Sequence, residues 1–156
     1  MSREIRPVTK DNWRELSKLE VRADQRSFVA SNLHSIAESQ FGYDEPQHGH
    51  WDMYPFGIYD ADAPVGFLMY GLNFAHPDTQ AFVIRLMVDQ ERQRMGHGRF
   101  AMNSMIERFR ADERIRAIGI SYEPENEAAR RLYADLGFRE IGENSFGEVV
   151  AALPLR

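Results

Sequence analysis

Apolar positions along this chain change period several times, and each change marks an element. Ile5 to Val8 reads as a short strand. Thr9 or Asp11 can then cap a helix through Leu19, with Trp13, Leu16 and Leu19 on one side. A second helical stretch runs from about Ser31 to Phe41. Residues Gly42 to Pro55 mix Gly, Pro, His and acids without periodicity, and read as loop. Phe56–Tyr59 and Val65–Leu72 read as strands joined by a tight turn over Asp60 to Pro64. Ala81–Val88 is apolar nearly throughout, as a strand buried on both faces would be.

From Gly96 the period becomes helical, with Met102, Met105, Ile106 and Phe109 at i, i+3, i+4 and i+7. Ile115–Ile120 is another buried strand. Ala129, Leu132, Tyr133 and Leu136 repeat the helical spacing, with Gly137 placed as a left-handed cap and Phe138 beyond it. Two short strands, Arg139–Glu143 and Glu148–Leu153, flank a turn at Asn144–Gly147. No repeat or linker interrupts the chain. The order predicts one α/β domain over residues 1–156. Its centre is a twisted mixed sheet of about seven strands with helices on both faces.

The segment Gln93-Arg-Met-Gly-His-Gly-Arg99 lies between a strand and a helix. Glycine lets backbone approach a ligand closely, and a helix N-terminus presents free N–H groups to an anion. Arg94 and Arg99 add positive charge, so the loop suits a pyrophosphate. Two other readings compete. Gly96-x-Gly98-x-x-Ala101 also matches a dinucleotide fingerprint, with Glu123 where a ribose-binding acid could sit. Against it, Asp89 to Met95 separate the glycines from the strand, and that fingerprint turns almost at once. Alternatively, two glycines simply start a helix.

The wider stretch Val88 to Gly98 resembles motif A of the Gcn5-related N-acetyltransferases (GNAT), [RQ]-x-x-G-x-[GA]. Asn126-Glu-Ala-Ala-Arg-Arg-Leu-Tyr-Ala-Asp-Leu-Gly-Phe138 resembles motif B, N-x-x-A-x-x-L-Y-x-x-x-G-F. The resemblance covers essentially the whole chain, with the two motifs in register and a strand before each. Within the family, the stretch Phe28 to Asn32 through Glu38, and Val65 to Gly71, look like bacterial diamine and polyamine acetyltransferases.

The resemblance implies the GNAT fold and acetyl-CoA as co-substrate. Backbone groups of Leu86, Met87 and Val88 would pair with the pantetheine arm, and an N–H near Val88 would face the thioester oxygen. Gln93, Arg94, Met95, Gly96, His97, Gly98 and Arg99 would hold the pyrophosphate. Tyr133 would protonate the departing thiolate as general acid; the competing reading is a packed tyrosine bonded to backbone. Asn126 would lie near the pantetheine and sulfur, and is equally an ordinary N-cap. Where several family members carry a carboxylate base, this chain has Ile84 and Arg85. Deprotonation of an amine could then run through water to Glu123 or to acids of the 38–52 region.

Composition narrows the chemistry. The chain has no cysteine, which excludes disulfides, thiolate metal sites and a Cys nucleophile. A net charge of -5 argues against nucleic acid and is compatible with a cationic acceptor. Glu38, Asp44, Glu45 and Asp52 would draw a polycation. His48-x-His50 with Glu45 and Asp52 invites a metal, but the set is looser than zinc prefers, and no metal is expected. No apolar run approaches the roughly 20 residues of a membrane span. Met1 to Arg6 lacks a signal-peptide core, so the expected location is the cytoplasm. The expected partner is a small amine acceptor, with neither nucleic acid nor membrane. The C-terminal hairpin can pair between subunits, which leans towards a homodimer. Rival functions are transfer to a peptide N-terminus, an aminoglycoside or an amino acid, and a CoA-binding sensor without turnover.

Overall fold

A computed structural model describes residues 2–28 and 30–156. Val29, within the first polyamine-enzyme-like stretch, and Met1 lie outside the described residues. The strands are β1 (Arg3–Pro7), β2 (Tyr43–Glu45), β3 (Gly49–Asp60), β4 (Ala63–Leu72), β5 (Ala81–Val88), β6 (Ala117–Tyr122), β7 (Arg139–Glu143) and β8 (Val149–Pro154). The helices are α1 (Trp13–Ser17), α2 (Asn32–Ser39), α3 (His97–Arg110) and α4 (Glu127–Asp135), with a 3-10 turn over Ala23–Phe28. The sheet runs β1-β3-β4-β5-β6-β8-β7, and β2 pairs with the outer half of β3. Among the described residues, only β5 and β6 pair in parallel.

The period-two alternation of β4 divides the core. Leu68 and Tyr70 pack with Met102, Met105 and Phe109 of α3 and with Tyr133 of α4. Phe67 and Met69 point the other way, against Val21, Leu19 and Ile36 of the α1–α2 region. The sheet is thus covered on both faces, as its apolar runs require. α1 is shorter than the apolar spacing suggests. Neither Thr9 nor Asp11 is its cap; the cap is Asn12, whose Oδ1 accepts from Thr9 N instead of from the helix.

The stretch read as loop from Gly42 to Pro55 is largely strand. β2 and the first half of β3 form a hairpin, with Tyr43 opposite Trp51 and Glu45 opposite Gly49. Its cross-strand pairs join His50 to Asp44, and Trp51 Nε1 donates to Glu45. Polar pairs of that kind stabilise strands without leaving an apolar alternation to read.

Candidate active site

β5 and β6 are paired only over Ala81–Val83 and Ile118–Ile120. A bulge at Ile84 then shifts the register of β5 against β4, so that Tyr70 faces Val83 and Met69 faces Arg85. β6 meanwhile stays paired with β8 as far as Tyr122. The two strands part beyond this point, and a bulge beside an opening of this kind re-aims side chains into it.

The opening is a cleft of two joined chambers. One, about 410 Å³, is lined by Leu86, Met87, Val88, Gln93, Gly96, Gly98 and others of the glycine loop. The second, about 300 Å³, is lined by Ile84, Arg85, Ser121, Tyr122, Glu123 and Glu148. Phe28, Leu86, Asn126, Ala129 and Tyr133 line both. Twelve residues were singled out from the sequence for catalysis or coenzyme binding. All but Met95 reach this cleft: Leu86, Met87, Val88, Gln93, Arg94, Gly96, His97, Gly98, Arg99, Asn126 and Tyr133 line the first chamber. Met95 projects to solvent, 56% exposed.

The loop is shaped by two left-handed residues, Arg94 at φ 64° and Gly96 at φ 84°. Alternating hand along a backbone gathers N–H groups into a concavity that takes anions. Gln93 folds back inside the protein, donating to Val88 O at 3.0 Å and to Gln25 Oε1 at 2.8 Å. It braces the loop against β5. Arg99 pairs with Asp135 at 3.1 Å, tying α3 to α4. A Cβ on Gly98 would meet no protein atom nearer than 3.7 Å, so its open side is the chamber itself.

Asn126 is the N-cap of α4, its Oδ1 accepting from Ala129 N at 3.2 Å. Gly137, at φ 100°, ends that helix; Phe138 N donates to Tyr133 O and Gly137 N to Ala134 O. This double bond pattern fixes the last turn and with it the ring of Tyr133. The ring packs beside Tyr122 and Phe138, at centroid distances of 5.6 and 5.9 Å. Its hydroxyl finds no hydrogen-bond partner among the described residues, contrary to the packed-tyrosine reading. Burial first, and then the neighbouring Tyr122, push its pKa well above the usual phenol value.

The second chamber holds groups that the sequence pattern did not single out together. Arg85 reaches Glu38 of α2 at 3.5 Å. Glu148 accepts from Asn144 Nδ2 at 2.9 Å and from Ser121 Oγ at 3.3 Å. Its approach to Glu123 follows from the β6–β8 pairing, Tyr122 to Val149. The signal available in sequence was the tail strand itself, had its partner been known.

The histidines sort differently from the His48-x-His50, Glu45 and Asp52 grouping weighed from the sequence. His50 goes to Asp44 and Asp52. His48 instead meets His76 and Glu45, whose ligand atoms lie within 4.8 Å of one another. His76 Nδ1, however, accepts from the backbone N–H groups of Asp78 and Thr79, at 3.2 and 3.1 Å. Its proton therefore sits on Nε2, the atom that faces Glu45, and a cation there would have to displace it. Within the trio His48 Nδ1 and Glu45 share a hydrogen bond at 3.0 Å and the ring of His76 packs beside that of His48 at 4.4 Å, so the cluster ties the β2–β3 turn to the β4–β5 loop.

The splayed parallel pair, with a glycine loop at one end and a tyrosine from the following helix in its wall, gives the comparisons a specific site. The profile of the acetyltransferase (GNAT) family matches residues 12–138. The chain belongs to that family. It is therefore an acetyltransferase. Spermine/spermidine N(1)-acetyltransferase of Bacillus subtilis strain 168 is 28% identical to this GNAT chain over 155 residues, covering 96% of the chain and 97% of the relative. Spermidine N-acetyltransferase of Vibrio cholerae, solved in complex with CoA and spermine, superposes with a TM-score of 0.71 at 18% identity, covering 98% of this chain and 95% of that one. The ribosomal-protein-S18-alanine N-acetyltransferase of Escherichia coli gives a TM-score of 0.70 at 19% identity, covering 99% and 94%. These two likenesses concern the fold. Among the described residues, no helix is long and apolar enough to cross a membrane.

Proposed function

We propose that this GNAT enzyme carries acetyl directly from acetyl-CoA to a primary amine, and that the amine belongs to a small polyamine or diamine. The observation that carries the reading is the continuity of the two chambers past Tyr133. One has a loop suited to pyrophosphate, the other carboxylates suited to a cation. The relatives that act on spermine and spermidine support the same acceptor class.

Acetyl-CoA would lie with its pyrophosphate on the backbone N–H groups of Gly96 to Arg99 and its pantetheine along Leu86 to Val88. The edge of β5 that turns away from β6 there offers backbone groups to the pantetheine amides. A fixed N–H at the thioester oxygen stabilises the tetrahedral intermediate. The acceptor amine would enter from the second chamber. Glu123 and Glu148 attract its cation and, directly or through water, take its proton. Arg85 occupies the place where several family members keep a carboxylate, and Glu38 offsets its charge.

The thiolate leaving group then takes a proton from Tyr133. The raised phenol pKa keeps that proton in place at neutral pH. The same dry surroundings raise the thiol pKa above its ordinary value of about 8.5, so donor and acceptor move together. No metal enters this scheme. The test is an amine panel: CoA release measured with spermine, spermidine, putrescine, an amino acid, an aminoglycoside and a peptide N-terminus. Turnover dependent on the polyamines supports the reading. Preference for any other acceptor overturns the acceptor class, and no turnover with any amine overturns the catalytic reading.

A further inference from the structure

We propose that Arg3, on β1, is a positioning residue for the coenzyme's pyrophosphate, acting from behind the glycine loop. The inference rests on the reading of Gln93–Arg99 as the pyrophosphate site. Arg3 is 92 and 93 residues from the atoms it binds. Its Nη2 donates to Met95 O at 2.6 Å and its Nη1 reaches Gly96 O at 3.5 Å. The Met95 carbonyl therefore points to β1, away from the cleft, and the Gly96 carbonyl, which accepts from Phe100 N at 3.0 Å as the first acceptor of α3, lies within the longer reach of the same guanidinium. In a trans peptide the C=O and N–H point in opposite directions, and the chain has no cis peptides among the described residues. The N–H groups of Gly96 and His97, which share those two peptides, must then point the other way. Gly96 and His97 line the coenzyme chamber. Among the described residues, no backbone acceptor takes their N–H groups, and α3 has no side-chain cap.

Three consequences follow from this one contact. First, the guanidinium holds the Met95–Gly96 peptide, and supports the Gly96–His97 peptide that the first turn of α3 fixes, at the orientation that aims their donors into the chamber. Second, a charge-assisted bond to a carbonyl polarises its peptide, so the N–H at the other end becomes a stronger donor. Third, the contact helps hold a loop that costs strain. Arg94 is left-handed without being glycine, a conformation that L side chains rarely adopt. The surroundings are arranged for a cation at this point. Asp60 is the cross-strand partner of Arg3 on β3. His97, 2% exposed, lies between the loop and Asp60, 4.0 Å from its Oδ2. Burial and the nearby Arg3 lower its pKa, so His97 is neutral and leaves the positive charge to Arg3.

The test compares two acetyl donors, one with the pyrophosphate and one without. Wild type, Arg3→Met and Arg3→Lys are assayed with acetyl-CoA and with S-acetylpantetheine, and their melting temperatures are recorded. Arg3→Met keeps the apolar stem and removes the donors. Its KM for acetyl-CoA should rise roughly 10-fold, the usual worth of a bond to a charged group. Its kcat, and its kcat/KM for S-acetylpantetheine, should stay within about 2-fold of wild type. Arg3→Lys, a point charge that cannot span both carbonyls, should recover part of the KM. An unchanged KM for acetyl-CoA, or an equal loss with both donors, overturns the proposal; the latter would mean Arg3 merely holds the fold. Gly98→Val separates this from the reading beneath it. If that variant binds CoA as wild type does, the loop is not the pyrophosphate site, and the Arg3 proposal falls with it. If Gly98→Val weakens CoA binding and Arg3→Met does not, only the Arg3 proposal falls.

Discussion

Tyr133 and His97 are both buried polar side chains without a hydrogen-bonded partner among the described residues, and each implies a different measurement. Tyr133→Phe removes a hydroxyl that bonds no described residue and keeps a ring packed against Tyr122 and Phe138. Had that hydroxyl held backbone, its loss would cost about 1 kcal/mol of stability; here the melting temperature should hardly move. If the hydroxyl protonates the leaving thiolate, turnover should fall by about 100-fold, the low end of general acid catalysis. Acetyl-CoA affinity should change little, because the loss lies in the transition state. Near-normal turnover in this variant would make solvent the proton donor. His97 bears on stability instead. Its folded pKa lies below the ordinary 6.5, through burial, Arg3 and Arg92 against the opposing pull of Asp60. Below 6.5 the unfolded chain takes up a proton that the folded chain still refuses. The unfolded state then binds more protons, so stability falls as pH falls through that window. His76, lowered by burial and by His48, adds to the same slope, whereas exposed His50, raised by Asp44, opposes it. Melting temperatures at pH 7.5 and 5.5 should therefore differ less in His97→Leu than in wild type. An equal or larger difference in the variant would remove His97 from the acid sensitivity.

At the scale of elements, legibility followed side-chain period. β5, α3 and α4 bury continuous or helically spaced apolar residues, and their places were plain in the sequence. β2 and the outer half of β3 were not, because their pairing is carried by Asp44 with His50 and Glu45 with Trp51. The glycine loop and Asn126 were readable from local spacing. Glu148 and Arg3 were not, since each joins the site through a strand pairing that no local pattern encodes. The β3–β4 turn was expected at Asp60 to Pro64, and the structure shows its chemistry. Asp60 pairs with Ala63, while Ala61 and Asp62 take φ of 49° and 68°. Two left-handed central residues make a type I′ turn, which matches strand twist but favours Asn or Gly. Alanine is poorly suited to that conformation. Ala61→Asn should therefore stabilise the protein by about 0.5–1 kcal/mol. Asp62 and its ion pair with Arg6 remain in this variant. Chemical denaturation reads the difference directly, and an unchanged or lower midpoint would mean the turn carries no relievable strain.

At the scale of the molecule, the sheet is one continuous surface opened at one place. The opening lies where the parallel β5–β6 pairing stops at Val83 and Ile120. Strands on either side of that point stay paired to their outer neighbours, so the cleft is held rigidly from both flanks. Two substrates placed in its two chambers would meet at Tyr133 without either having to leave first. The alternative route, a covalent acetyl-enzyme, needs a nucleophile to store the group between two half-reactions. The chain has no cysteine. Tyr133, with its pKa raised by burial, stays protonated and is a poor nucleophile. Direct transfer requires a ternary complex, and initial rates at several fixed amine concentrations should give intersecting double-reciprocal lines against acetyl-CoA. The same architecture predicts that CoA competes with acetyl-CoA and not with the amine, because the glycine loop lines the first chamber alone and Glu123 and Glu148 line the second alone. Parallel lines, or exchange of label between CoA and acetyl-CoA in the absence of amine, would instead mean that the protein carries the acetyl group itself and that the joined chambers are used in turn.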